Sequence, residues 1–110
     1  MFADRTETRL TLDERHTNRH GTFHGGLATV LLDSACGFAA SRALSEDASQ
    51  LMVTLSFTTN YLAPGRGPVI VATGRVVLAG GSIVYTEGEI RDDDGTVIAT
   101  GTGVFKRVRG

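Results

Sequence analysis

The sequence predicts an α+β domain in which one long helix packs on a five-stranded antiparallel sheet. Three observations carry this. Residues 25–44, "GGLATVLLDSACGFAASRAL", repeat their apolar residues with the period of a helix. Four later segments read as strands joined by short turns, so they run antiparallel. One alternating segment precedes the helix. The dimensions agree, since a helix of this length spans roughly 30 Å and a ten-residue strand about as much.

The elements follow in order. In "RTETRLTL" (5–12), Thr6, Thr8, Leu10 and Leu12 share one face, the alternation of a half-buried strand. Residues 13–24 are polar and loop-like. On the helix, Leu27, Val30, Leu31, Ala35 and Phe38 make one apolar stripe. In "LMVTLSFTTNYL" (51–62), Leu51, Val53, Leu55, Phe57 and Tyr61 are expected on one face, with Met52, Thr54, Ser56, Thr58 and Asn60 on the other. "APGRGP" breaks the chain. "VIVATGRVVL", the "AGGS" turn, "IVYTEGEIR", the "DDDG" hairpin signal and "TVIATGTGVFKRV" complete the sheet. The helix covers one face of it. The other must be satisfied differently, because Met52 beside Thr54 and Ser56 is not a typical solvent face.

Composition bounds the function. The 110 residues suit a single domain, 1–110, and a 41% hydrophobic content suits folding rather than disorder. A net charge of -1 gives no reason to expect nucleic acid or an anionic membrane as partner. The basic tail Lys106, Arg107, Arg109 reads as a solvated strand end. The longest mostly apolar run, Leu27 to Leu32, is too short to span a bilayer, and the N-terminus is not of secretory type. The lone Cys36 cannot form an internal disulfide and is expected as a small packed residue, which favours a reducing, cytoplasmic setting. Fourteen glycines point to tight turns and close backbone approaches.

Chemistry concentrates in "NRHGTFHGGLATVLLD" (18–33). His16, His20 and His24 are spaced by four, but Asn18, Gly21 and Gly25 mark a loop, where that spacing does not align metal ligands. Gly25-Gly26 opens the helix. The first N–H groups of a helix have no internal partner and carry the positive end of its dipole, so this is either a plain helix start or a seat for an oxyanion. Asp33 lies in an apolar run, where a carboxylate is costly unless used or paired. It points away from the stripe, among Gly26, Thr29, Cys36, Gly37 and Ala40. Such small residues let a ligand or another subunit come close. The Thr29 hydroxyl, one turn earlier, is placed to bond the Asp33 carboxylate or to face solvent.

These residues carry a resemblance. The pattern N-x-x-G-x-x-H-G-G-x-x-x-x-x-x-D, with "YLAPG" and the late hairpins, resembles the hotdog-fold acyl-CoA thioesterases of the phenylacetate-degradation type over nearly the whole chain. The resemblance implies a five-stranded antiparallel sheet wrapped around one long central helix, with subunits paired into homodimers or dimers of dimers (homotetramers). It implies no cofactor and no metal. It gives Gly25 an oxyanion-binding N–H, Asn18 the orienting of water or thioester, Asp33 the role of general base or nucleophile, and Thr54 an assisting hydroxyl. It lines the acyl-CoA with His24, Gly26, Ser56, Tyr61, Gly80, Gly81 and Ser82. The Gly80-Gly81 turn lacks the basic residue common there.

Hydrolysis of an acyl-CoA to free acid and coenzyme A is the leading expectation. A thioester needs an oxyanion hole, a water and a carboxylate, and those parts are here. Two alternatives stand beside it: hydration or dehydration of a hydroxyacyl thioester through His24 and Asp33, and a non-catalytic acyl-CoA-binding module. Phe38, Phe57, Tyr61 and Tyr85 are available to line an aryl or medium-chain acyl pocket.

Overall fold

In the computed structural model the described residues are 5–11, 25–44, 50–63 and 68–108. They form β1 (Thr6–Thr11), α1 (Gly25–Leu44), β2 (Met52–Tyr61), β3 (Val69–Gly80), β4 (Ile83–Asp92) and β5 (Val97–Arg107). The strands make one sheet in the order β1-β3-β4-β5-β2, and every adjacent pair is antiparallel. α1 packs against all five strands, which is the expected hotdog architecture. The short turns β3–β4 and β4–β5 join sheet neighbours. The β2–β3 connection does not: β2 crosses to the far edge and pairs with β5.

The helix bounds match expectation, but its buried face does not. Ala28, Leu32, Ala35, Cys36, Ala39 and Ala40 are buried, whereas Val30 is 58% and Phe38 50% exposed. Leu27 and Leu31 pack only at the margin of the core. Small residues win this face because the helix lies almost on the sheet backbone. A Cβ on Gly74 would fall 2.5 Å from the backbone carbonyl of Ala35, and one on Gly88 would fall 2.9 Å from Cys36 Sγ. Cys36 and Ala40 thus serve the approach of helix to sheet, not of a ligand. Thr6 anchors β1 to the same helix, its hydroxyl donating to Ala35 O at 2.6 Å.

The core runs through Ala28, Leu32, Ile70 and Ile90 to Cys36, Val84 and Phe105. The 19 residues Gly26–Leu44 are long and apolar enough by composition to cross a bilayer, a longer apolar stretch than Leu27 to Leu32 suggests, because the Ala and Gly facing the sheet count towards it. The sheet's outer face is polar at one end, with Arg75–Glu87 (2.7 Å) and Arg91–Glu89 (2.8 Å) ion pairs. At the other end it exposes Leu78 and Tyr85.

The alternation read for β2 is broken once. The β2–β5 register slips between Thr54 and Ser56, leaving Leu55 as an extra residue. Such a bulge changes which side chains face inward. Met52 and Thr54 therefore share the helix-facing side with Phe57, Thr59 and Tyr61. Ser56, opposite Val104, turns to the outer face with Thr58 and Asn60.

Candidate active site

α1 runs antiparallel beside β2 and the residues leading into it, and side-chain hydrogen bonds tie them along their length. Near the helix start, the Thr29 hydroxyl bonds Thr59 Oγ1 at 3.3 Å and the Tyr61 hydroxyl at 2.8 Å. In the middle, Thr54 Oγ1 donates to Asp33 Oδ1 at 2.9 Å. Further on, Ser41 Oγ donates to Gln50 O at 2.6 Å. The Thr29 hydroxyl is thus bonded to β2 rather than to Asp33. β2 supplies its partners, and Asp33 is left to Thr54.

Asp33 is half-buried, at the rim of an open cleft of about 310 Å³. Gly37, Phe38, Met52, Thr54 and Phe105 line it with Asp33. One carboxylate oxygen is held by a hydroxyl, and the group opens onto a cleft lined by both polar and apolar residues. This is the arrangement a general base needs: an acceptor fixed in direction, with room for a water or a carbonyl before it.

The other expected site residues fall in several places. Gly25 is the first residue of α1, and Gly26 follows it exposed. Asn18 and His24, with His16, His20 and Gly21, lie outside the described residues. Tyr61 stands on the helix-facing side of β2, one helical turn from Asp33 through Thr29. Ser56 is on the opposite face of β2 from Thr54. Gly80, Gly81 and Ser82 form the β3–β4 turn, where Gly81 has φ 72°, the left-handed region that glycine enters without strain. Ser82 O accepts from Arg107 N at 2.8 Å. Ser82 lines a separate groove of about 510 Å³ with Val53, Lys106 and Arg107. The fold brings Asp33 and Thr54 together and holds Ser56 and the 80–82 turn apart from them.

Sequence reasoning missed Thr59, Ser41, Gln50 and Phe105. The bulge at Leu55, which only the pairing with β5 reveals, sets the side that Thr59 faces. Cys36 is buried as expected. Burial pushes its thiol up to about 11, against the lowering effect of the Thr86 hydroxyl, and the nearby charges of Asp33 and Glu87 add to the rise. It is a packed thiol, not a nucleophile at neutral pH.

The model of the thioesterase superfamily matches residues 20–99. The chain belongs to the thioesterase superfamily. The matched span takes in α1 and β2 whole, and therefore both Asp33 and Thr54. This superfamily member is 33% identical over 110 residues to a candidate esterase of Halobacterium salinarum, covering 92% of this chain and 72% of that protein. It is 30% identical to the human acyl-coenzyme A thioesterase 13 over 84% of this chain and 65% of that one. Among solved structures it is similar to the BH2602 protein of Bacillus halodurans, determined with CoA. There the TM-score is 0.87 at 33% identity, covering 94% of this chain and 68% of that one.

Proposed function

We propose that the protein is an acyl-CoA thioesterase, hydrolysing aryl or medium-chain acyl thioesters to free acid and coenzyme A in a reducing, cytoplasmic setting. The observation that carries this is the Thr54–Asp33 hydrogen bond at the rim of an open cleft. Family membership and the CoA-bound relative support it.

The reaction follows from the parts. Asp33 acts as general base or nucleophile. As base, it takes a proton from a water whose oxygen attacks the thioester carbonyl carbon. The carbonyl oxygen becomes an oxyanion, received by the N–H of Gly25 at the start of α1. The C–S bond then breaks, and the coenzyme A thiolate takes up the proton. Thr54 holds the carboxylate in direction, and Asn18 orients the water or the thioester.

One helix does not supply both groups to one thioester. Gly25 and Asp33 are eight residues apart in α1, about 12 Å along the axis. The oxyanion donor and the base must both reach one carbonyl group, the base through at most one water. We assign the site to a homodimer, in which Asn18 and Gly25 of one protomer work with Asp33 of the partner subunit. Two features support the pairing. β2 is an edge strand carrying exposed Val53 and Leu55, and α1 exposes Val30 and Phe38 on the side away from its own sheet. An uncovered edge and apolar patch of this kind invite a second chain.

A panel of acyl-CoA thioesters with a thiol-detecting reagent tests the activity. Release of free thiol is the expected result. Tight binding of acyl-CoA without thiol release would make the protein a binding module. Loss of the enoyl absorbance of crotonyl-CoA without thiol release would make it a hydratase.

A further inference from the structure

The polar residues of α1 carry a pattern that the acid alone does not explain. Thr29, Asp33, Gly37 and Ser41 stand four apart, so they share one side of the helix. Thr29, Asp33 and Ser41 each hydrogen-bond to β2 or to the residue leading into it. The Thr29 link lies nearest the helix start, and it is double: its hydroxyl meets the Tyr61 hydroxyl at 2.8 Å and Thr59 Oγ1 at 3.3 Å. In an α-helix the N–H of residue i bonds the carbonyl of residue i−4, so the Thr29 N–H closes on the Gly25 carbonyl. Fixing Thr29 therefore fixes Gly25. Helix side chains also lean towards the N-terminus, which puts the Thr29 hydroxyl over the first turn. Packing does not require the link. Ala28, Leu32, Ala35 and Cys36 already bury the helix on the sheet, and the Thr29–Tyr61 bond is exposed. An exposed bond between two neutral hydroxyls adds little to stability.

We propose that Thr29 is a positioning residue for hydrolysis: through the Tyr61 hydroxyl, with Thr59 beside it, Thr29 sets the first turn of α1 and the Gly25 N–H against β2. The inference rests on the thioesterase reading. β2 is then the common reference for both halves of the site. Thr54 ties the base to it, and Thr29 ties the oxyanion donor to it. β2 is also the edge strand on which the two protomers are assigned to meet. Each chain's links to β2 therefore set where its helix start stands relative to the base of the partner subunit. An oxyanion donor must sit about 3 Å from the oxygen, and a misplacement of about 1 Å costs up to a hundredfold. The loss is felt in the transition state, where the oxygen carries its charge, more than in the bound substrate.

Thr29→Val keeps the shape of the side chain and removes its hydroxyl. In the thiol-release assay its kcat should fall about tenfold with KM nearly unchanged, because the loss falls on the transition state. Thr29→Ser, which restores the hydroxyl, should recover most of that loss. The thermal midpoint of Thr29→Val should stay close to that of the wild type, and calorimetry should find a non-hydrolysable S-alkyl-CoA thioether bound as tightly. Two double variants locate the effect. Tyr61→Phe should be the milder single change, since Thr59 still holds Thr29. Added to Thr29→Val it should cost nothing further, because both break the same link. Thr54→Ala added to Thr29→Val should multiply the two losses, because the two halves are held separately. A loss carried by KM or by the thermal midpoint, a Thr29→Ser no better than Thr29→Val, or losses of Thr29→Val and Tyr61→Phe that multiply overturns the inference. An undiminished kcat in Thr29→Val also overturns it and leaves the thioesterase reading standing. Absence of thiol release by the wild type from every acyl-CoA tested overturns that reading, and this inference with it.

Discussion

Asp33 on α1 and Thr54 on β2 are joined by a 2.9 Å hydrogen bond in which the threonine hydroxyl donates. The bond fixes one carboxylate oxygen and leaves the group open to the cleft. Asp33→Asn should lower turnover by roughly a hundredfold or more, the scale of lost general-base catalysis, while acyl-CoA binding persists. Thr54→Ala should cost about tenfold, the worth of one hydrogen bond to a charged group. Steady-state kinetics on folded variants decide it. Near wild-type turnover in Asp33→Asn would make the carboxylate structural.

The shared site is tested by complementation. Asn18→Ala and Asp33→Ala, unfolded together and refolded, should form half heterodimers with one intact site of two. About a quarter of wild-type activity should return, given inactive parents and independent sites. Any residual activity of Asn18→Ala alone is subtracted first. Heterodimers that form yet show no more activity than the parents would place the site within one chain.

Association should run through the free edge of β2. Light scattering at micromolar concentration should find at least a dimer. Leu55→Lys, a charge on the exposed bulge residue, should shift it towards monomer, because edge lysines oppose strand pairing. A wild-type monomer would refute the assignment.

Gly74→Ala should be costly for its size. The new methyl would overlap the Ala35 backbone and force α1 off the sheet. Overpacking of this kind costs about 1–3 kcal/mol, so thermal unfolding should begin roughly 10 °C lower. An unchanged melting temperature would mean that helix and sheet separate freely.

The Cys36 thiol should be silent towards a thiol reagent at pH 8 in the native protein and react once on denaturation. Its folded value, about 11, is above the ordinary 9.0, so the folded state holds the proton longer than the unfolded state. The stability linked to this thiol is fully present below pH 9 and is lost between about pH 9 and 11, as the unfolded chain ionises first. Cys36→Ala should remove that part of the alkaline loss in denaturant titrations. A native thiol that reacts readily at pH 8 contradicts the burial.

Local order was readable along the chain because it comes from neighbours in the chain. The period of α1, with bounds 25–44, follows from apolar spacing, and the two late turns follow from Gly81 and from the Asp92–Gly95 run. Asp33 stood out as a carboxylate in an apolar helix, and the resemblance offered Thr54 as an assisting hydroxyl. What remained hidden depends on residues far apart in the chain. Sequence period favoured the large side chains as the core stripe, but a sheet that brings Gly74 against Ala35 accepts only Ala, Cys and one Leu beneath the middle of the helix. The bulge at Leu55 exists only in the pairing of β2 with β5, and it alone turns Thr54 and Thr59 to the same side. That one side carries both the Thr59 partner of Thr29 and the Thr54 partner of Asp33. No local period contains them, because each is set by where an edge strand lands after crossing the sheet.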